Sequence, residues 1–558
     1  MSKVKNLKSL HISANFKQAD TAFLPFINAV KSQADKLGLM LSEVPYQSDN
    51  NVLELIISEA NGPSFLLKIT TPLLDGTLCG ERDLQALTGL TAVHSRSLEH
   101  ITPLGIDYVS ITAASLALLQ LFAGLTARHR GSDTAGASLD LIQAGLLAVG
   151  QYLAGATTEK GAENFAVGEA DPARCPPFLS RDGIVFELES LSPRLWQRFW
   201  EQLGAKGADI GRGWHSFMQR YAKAVAPLPA EMVALLAQRD YVDLVALASE
   251  VGVAITPVRT LSERREDADL AYFLTNGPWT IAPADETRSP QRSLPALVSP
   301  SDLPLAGLQI IESCRRIQGP MAGHILSLLG ASVQRLEPLG GDPLRGMPPL
   351  AGECSARFDA LNGRKDIEEV DIKSVEGRQR IAELATNADV FIHNWAPGKA
   401  EVLGLDAKAL GSMNPEIIYT YAGGWGAIDD EVGIPGTDFM AQAYSGLADV
   451  IASQSGTRGG TLLTVTDIFG GILAAQAVII ALYCRAKGCS GLQVNSSLLG
   501  AATLLVESAF GVRDAQLQRH PLSQKVMTDL ASLSSHPALA PYLQTQSYTQ
   551  LRDLWRPL

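Results

Sequence analysis

Asp467 heads a long apolar run, Leu463-Thr464-Val465-Thr466-Asp467-Ile468-Phe469-Gly470-Gly471-Ile472-Leu473. An ionised carboxylate avoids apolar surroundings because its desolvation is costly unless partners compensate. Such a residue therefore either caps a helix or does chemistry. Asp is favoured at helix N-termini, where it accepts otherwise unpaired backbone N–H groups. Held partly out of water beside those donors, the same carboxylate is a nucleophile whose attack on a carbonyl creates an oxyanion that the donors stabilise. Both readings stand on the local sequence. Asp438, in Gly436-Thr437-Asp438-Phe439, poses the same choice. Arg364 and Lys365 follow a turn at Asn362-Gly363 and suit phosphate groups, or form a solvated basic turn. His393 and Asn394 end an apolar strand, where open α/β sheets bind ligands, although a packed structural histidine is the stronger reading of His393.

These residues need a scaffold. After residue 307, strands are expected at 308–311, 332–337, 389–393 and 416–420, with helices at 319–329 and 374–386. Apolar strands alternating with helices predict a Rossmann-like, doubly wound parallel sheet over 303–510. Gln318-Gly319-Pro320-Met321-Ala322-Gly323 does not match GxGxxG, so no nicotinamide or flavin dinucleotide is expected. Four prolines in 284–306 predict a linker over 284–302. Before it, 178–263 reads as a smaller mixed α+β domain. The first 78 residues read as an α+β region of unassigned role, with a hairpin at 52–59 and 64–71 after a helix. Residues 511–558 form a tail.

One register links the halves. Gln85-Ala86-Leu87-Thr88-Gly89-Leu90 matches Gln442-Ala443-Tyr444-Ser445-Gly446-Leu447 at an offset of 446 − 89 = 357, which also pairs Arg128 with Arg485 and Gly131 with Gly488. Internal duplication is expected. Ser110 stands in the first copy where the second has Asp467.

A net charge of −12 over 558 residues argues against a nucleic-acid surface, and small-molecule substrates fit better. Three to four domains are expected from the length. The six cysteines are scattered, with no metal-ligand spacing, so reduced thiols and no metal are expected. The basic N-terminus lacks an apolar h-region, and the apolar stretch 468–483, broken by Gln476, falls short of a bilayer span. Both features predict a cytoplasmic protein with no membrane contact.

Residues 303–500 resemble the front of a family III CoA-transferase of the CaiB/BaiF type. The matching stretches run in order from Leu305-Ala306-Gly307-Leu308 through Leu329-Gly330-Ala331-Ser332-Val333, Glu337-Pro338, Gly340-Gly341-Asp342-Pro343, Leu361-Asn362-Gly363-Arg364-Lys365, Asn394-Trp395-Ala396-Pro397-Gly398 and Gly436-Thr437-Asp438 to Asp467. Residues 80–263 resemble the rear of the same family, ending in Gly252-Val253-Ala254-Ile255-Thr256-Pro257-Val258-Arg259. The rear half thus stands ahead of the front half. The resemblance implies that Asp467 attacks an acyl-CoA thioester and becomes an aspartyl-CoA thioester that passes CoA to an acceptor acid. It places Asp438 and Thr437 at the acyl pocket, and Gln318, Pro338, Arg364, Lys365, His393, Asn394 and Trp395 against coenzyme A. It also implies acyl-CoA and carboxylic acids as the small-molecule partners, and a homodimer. Family racemases carry a His where this chain has Thr437, whose hydroxyl does not titrate near neutral pH, so racemase chemistry is disfavoured. The rival reading is a CoA-binding pseudoenzyme or regulatory partner.

Overall fold

The computed structural model describes all residues except 1–4, 46–50, 164, 166, 167, 284–292, 429–433 and 512–524. Residues 284–292 of the expected linker therefore lie outside the described residues.

In the second half, strands Gln309–Ser313, Ser332–Glu337, Asp366–Glu369, Val390–His393, Ile418–Gly423 and Leu492–Ser497 form one parallel sheet. Numbered along the chain, their spatial order is 3-2-1-4-5-6. This is the doubly wound order, whose crevice opens where it reverses, between the first and fourth strands. Ile310, Val390, Phe391 and Ile392 are buried because helices cover both faces. Trp279–Pro283 adds an antiparallel edge strand beside Leu492–Ser497, so the chain ahead of the linker completes this sheet.

The first half repeats the plan in reduced form. Leu10–Ala14, helix Leu24–Leu37 and Met40–Glu43 make a parallel β-α-β unit. Val52–Glu59 runs antiparallel between Leu10–Ala14 and Ser64–Thr70, and Gly136–Asp140 lies parallel to Ser64–Thr70. The boundary expected at residue 78 thus falls inside a single five-stranded sheet. Helices Tyr108–His129 and Val465–Ala486, each of 22 residues, begin and end at the same offset of 357 and pack against each other. By length and hydropathy both are able to cross a bilayer, longer than the sequence suggested, and both are wholly buried inside the protein. Gln476, which interrupts the second, donates to Gln33 Oε1 and to Ser115 O, each at 3.3 Å, and so ties both long helices to Leu24–Leu37.

The small domain centres on strand Val185–Glu189, flanked by Phe178–Leu179 and Ala254–Pro257. Helix Pro193–Leu203 starts at Ser192, whose hydroxyl accepts the Leu195 N–H, and drives Trp196, Phe199, Trp200 and Leu203 into a separate core.

Candidate active site

Asp467 is the third residue of the Val465–Ala486 helix, and its carboxylate accepts no hydrogen bond from the described residues. It does not cap its own helix. That duty falls to Asp438, whose Oδ2 accepts the Asp467 N–H at 2.7 Å and whose backbone oxygen accepts the Thr466 hydroxyl at 3.2 Å. Gln442 fixes Asp438 in turn: its Nε2 donates to Asp438 Oδ1 at 2.5 Å and to Thr461 O at 3.2 Å, while its Oε1 accepts the Thr461 N–H at 3.0 Å. Asp438 is thus a structural cap and Asp467 a carboxylate held at a helix N-terminus with its oxygens uncommitted. Asp467 is buried but keeps 8 % of its surface where Val465, Thr466 and Phe469 keep none.

Burial raises the Asp467 carboxyl well above the usual carboxylate range; the charges of Asp438 and Glu189 raise it further and the Arg316 guanidinium opposes them. Arg316 follows strand Gln309–Ser313 at the reversal of the sheet, in the left-handed conformation (φ 65°) that few non-glycine residues adopt. Its guanidinium lies 5.2 Å from the Tyr221 ring centroid. Glu189 and Tyr221 come from the small domain. Glu189 Oε2 accepts the Tyr221 hydroxyl and, at 3.2 Å, the Thr437 hydroxyl. Neighbouring Glu187 is paired with Arg220 at 3.0 Å, and that guanidinium lies over the Phe439 ring at 3.5 Å. The small domain therefore closes over the start of the helix that carries Asp438.

The residues expected to hold CoA separate into groups. Gln318 lies beneath the second turn of the Asp467 helix, at Gly470 and Gly471, and donates to Gly423 O at 3.2 Å. Asn394 meets Arg315 at the sheet reversal through two hydrogen bonds, of 2.9 and 2.8 Å. Trp395 packs beside His393, whose ring also stacks on Tyr421 at 5.1 Å and whose pKa burial pushes down to about 3. A neutral, packed histidine results, bordering a recess of about 470 Å³ with Gly398, Glu401, Tyr421 and Asn495. Pro338 is half-buried and Arg364 exposed on its turn. Lys365 is a correction: its ammonium is fully buried and donates to Glu312 Oε2, Pro320 O and Asn362 Oδ1 at 2.7, 2.7 and 2.9 Å. With all three protons used, it is unavailable to phosphate.

The first half reproduces this framework without the carboxylate. Glu81 accepts Gln85 Nε2 and the Ser110 N–H, each at 2.7 Å, as Asp438 accepts Gln442 and Asp467 at the same offset of 357. Gln85 Oε1 accepts the Leu104 N–H at 3.0 Å, the counterpart of the Gln442 bond to Thr461. Ser110 occupies the position of Asp467.

The sequence pattern of CoA-transferase family III matches residues 81–296 and 305–538. The chain belongs to this family. Among curated family members it is 30 % identical to the succinate–glutarate CoA-transferase of Agrobacterium fabrum, over 43 % of this chain and 60 % of that protein. It is 31 % identical to the acetyl-CoA:oxalate CoA-transferase of Acetobacter aceti, over 39 % and 58 %. The chain therefore spans less than two thirds of these relatives' length. A solved CaiB/BaiF family protein from Brucella suis is 28 % identical over 45 % of this chain and 65 % of its own, with a TM-score of 0.35.

Within this CoA-transferase family member, sequence reasoning missed Glu189, Tyr221 and Arg316. Val185-Phe186-Glu187-Leu188-Glu189 alternates as a strand with a solvated face does, yet that face packs on helix Asp438–Ser445. Only the burial of both glutamates reveals it. Gln442 carried a signal, since it lies in the repeated segment, but its link to Asp438 requires the fold. Among the described residues no group of His, Cys, Asp and Glu is placed to hold a metal.

Proposed function

We propose that this chain moves CoA from an acyl-CoA thioester to an acceptor carboxylic acid through an aspartyl-CoA intermediate on Asp467. One observation carries the reading: the Asp467 carboxylate sits at a helix start with no hydrogen-bond partner among the described residues, because Asp438 caps that helix in its place. A capping aspartate would spend its oxygens on backbone N–H groups; this one keeps them.

A carboxylate oxygen of Asp467 attacks the thioester carbonyl, the C–S bond breaks and CoA leaves as thiolate. The thiolate then attacks the Asp467 carbonyl of the mixed anhydride, releasing the donor acid as carboxylate and leaving an aspartyl thioester. The acceptor carboxylate repeats these steps in reverse and frees Asp467. No net proton is consumed, so the site needs a stable carboxylate rather than a proton shuttle. Thr437, which does not titrate, is consistent with that need. The Arg316 guanidinium, whose charge acts on Asp467, and the positive end of the helix dipole stabilise the charge that develops on the carbonyl oxygen. Gln318, Asn394 and Trp395 at the sheet reversal hold the CoA arm, and Arg364 and Pro338 lie toward its phosphates.

The matching hydrogen bonds at an offset of 357 support an internal duplication in which the first copy lost its carboxylate. The small domain follows that copy and reaches the nucleophile of the second, so one chain assembles one site.

Incubation with an acyl-CoA followed by hydroxylamine converts an activated carboxyl into a hydroxamate that mass spectrometry locates. Modification at Asp467 is expected, with both modification and CoA exchange lost in Asp467→Ala while the fold persists. Near-normal exchange in that variant, or an unmodified wild type, removes the mechanism and leaves a pseudoenzyme.

A further inference from the structure

Glu189 is 1 % exposed, and its two oxygens are unlike. Oε2 accepts the Tyr221 and Thr437 hydroxyls, whereas Oε1 is buried with no hydrogen-bond partner among the described residues. A buried carboxylate oxygen without a donor is costly and calls for a partner. Glu189 touches Thr437, and the next residue, Asp438, takes the Asp467 N–H. Two adjacent residues, Thr437 and Asp438, thus link the Glu189 carboxylate to the start of the Asp467 helix. The Glu189 charge is felt at Asp467. Asp438, Asp467 and Glu189 share this region with the guanidinium of Arg316, which forms no ion pair among the described residues, while Arg220 is engaged by Glu187. A second substrate carboxylate entering here meets Glu189 and Asp438, with Arg316 as the cation that forms no ion pair among the described residues.

We propose that Glu189 determines acyl specificity: its free oxygen accepts an O–H carried by the acyl chain, and its charge turns away acyl groups that bear a second carboxylate. The inference rests on Asp467 as the point of acyl attachment. Short hydroxyacyl-CoA thioesters are then the preferred donors, followed by unsubstituted short acyl-CoA, with dicarboxylic acyl-CoA last.

The test measures hydroxamate formation at Asp467 with 3-hydroxybutyryl-CoA, butyryl-CoA and succinyl-CoA, in the wild type and in Glu189→Gln. The glutamine keeps one oxygen for Tyr221 and Thr437 but turns the free acceptor into a donor. In the wild type the hydroxyacyl donor is expected to lead the succinyl donor by about tenfold in kcat/KM, the worth of roughly one hydrogen bond. In Glu189→Gln that order reverses, because the new N–H groups welcome a carboxylate. A wild type that prefers succinyl-CoA overturns the inference whether or not the variant folds. A variant that slows all three donors equally also overturns it, since Glu189 is then only structural. Modification of Asp467 in the wrong order refutes specificity by Glu189 alone; no modification with any donor refutes the mechanism beneath it as well.

Discussion

Two adjacent glycines on the Asp467 helix differ in what surrounds them, and substitution separates their roles. A Cβ at Gly471 would stand 2.5 Å from Gln318 O and 2.6 Å from Met321 Cβ, so the helix Gln318–Leu328 would have to move. A Cβ at Gly470 would meet the ends of Leu498 and Gln318 at 3.1 and 3.3 Å, side-chain atoms that can shift. Alanine in a helix interior gains about 1 kcal/mol over glycine. Overpacking costs about 1–3 kcal/mol, and a backbone oxygen in the way places Gly471→Ala near the upper end. The expected net is a loss of about 2 kcal/mol for Gly471→Ala and a change within about 0.5 kcal/mol for Gly470→Ala. Urea unfolding reads this as a lowered midpoint in the first variant only. Because Gln318 begins the displaced helix, hydroxamate formation at Asp467 should fall in Gly471→Ala and hold in Gly470→Ala. Equal behaviour of the two variants would refute the claim that backbone contact at Gly471 seats the site.

Arg316→Gln removes the cation that opposes the burial of Asp467 and the charges of Asp438 and Glu189. Modification requires the carboxylate form, so its rate rises with pH through the raised pKa of Asp467; the acid limb of the pH–rate profile should move to higher pH in the variant, and an unmoved or lowered limb counts against the assignment. The sign for stability is parallel: a carboxyl raised by folding adds stability that is present below its unfolded pKa and lost as pH rises through its folded one. Lys365 and Arg364, adjacent in sequence, should part in behaviour. Lys365→Ala leaves Glu312 short of a buried partner and is expected to cost about 3–5 kcal/mol of stability. Arg364→Ala should stay within about 0.5 kcal/mol in thermal unfolding yet weaken CoA binding by calorimetry about tenfold.

Asp467 was legible in the sequence because a carboxylate among apolar residues demands an explanation, and the doubly wound sheet was legible because its strands are short apolar runs between helices. Strands Asp366–Glu369 and Leu492–Ser497 were not, since the first is polar at an edge and the second carries Gln493, Asn495 and Ser496 among its apolar residues. The β-α-β unit of residues 10–43 was missed because its strands are only 5 and 4 residues long and the second is barely buried. Lys365 misled because a lysine after a turn looks solvated; only its three-dimensional neighbours, Glu312 and the Pro320 carbonyl, show that it is sealed inside. Glu189 and Arg316 lay beyond reach for a different reason, since segments far apart in the chain bring them to Asp467.

The first half shows why a matching framework is not by itself a site. Glu81 and Gln85 hold the start of helix Tyr108–His129 with the bonds that Asp438 and Gln442 use, and Gly89 and Gly446 turn the chain with left-handed φ values of 80° and 90°. The surroundings diverge from there. At Gly446 the neighbour is Leu261, from the segment that leaves the small domain; at Gly89 it is Leu530, from the C-terminal tail. The tail also takes the place of the edge strand Trp279–Pro283: Ser138 N–H donates to Arg556 O at 2.8 Å and Leu558 N–H to Gly136 O at 3.0 Å. The framework that holds Ser110 is thus covered by Leu530 and the strand-like segment at 556–558, whereas the one that holds Asp467 is covered by the small domain with Glu189 and Tyr221. Glu81, fully buried beside Asp107, has its pKa pushed up to about 7, so a second carboxylate at position 110 would add to a charge that burial already disfavours. Serine there avoids that repulsion, and a carboxylate stands at this position only in the second framework, where the Arg316 guanidinium opposes the cost of its burial.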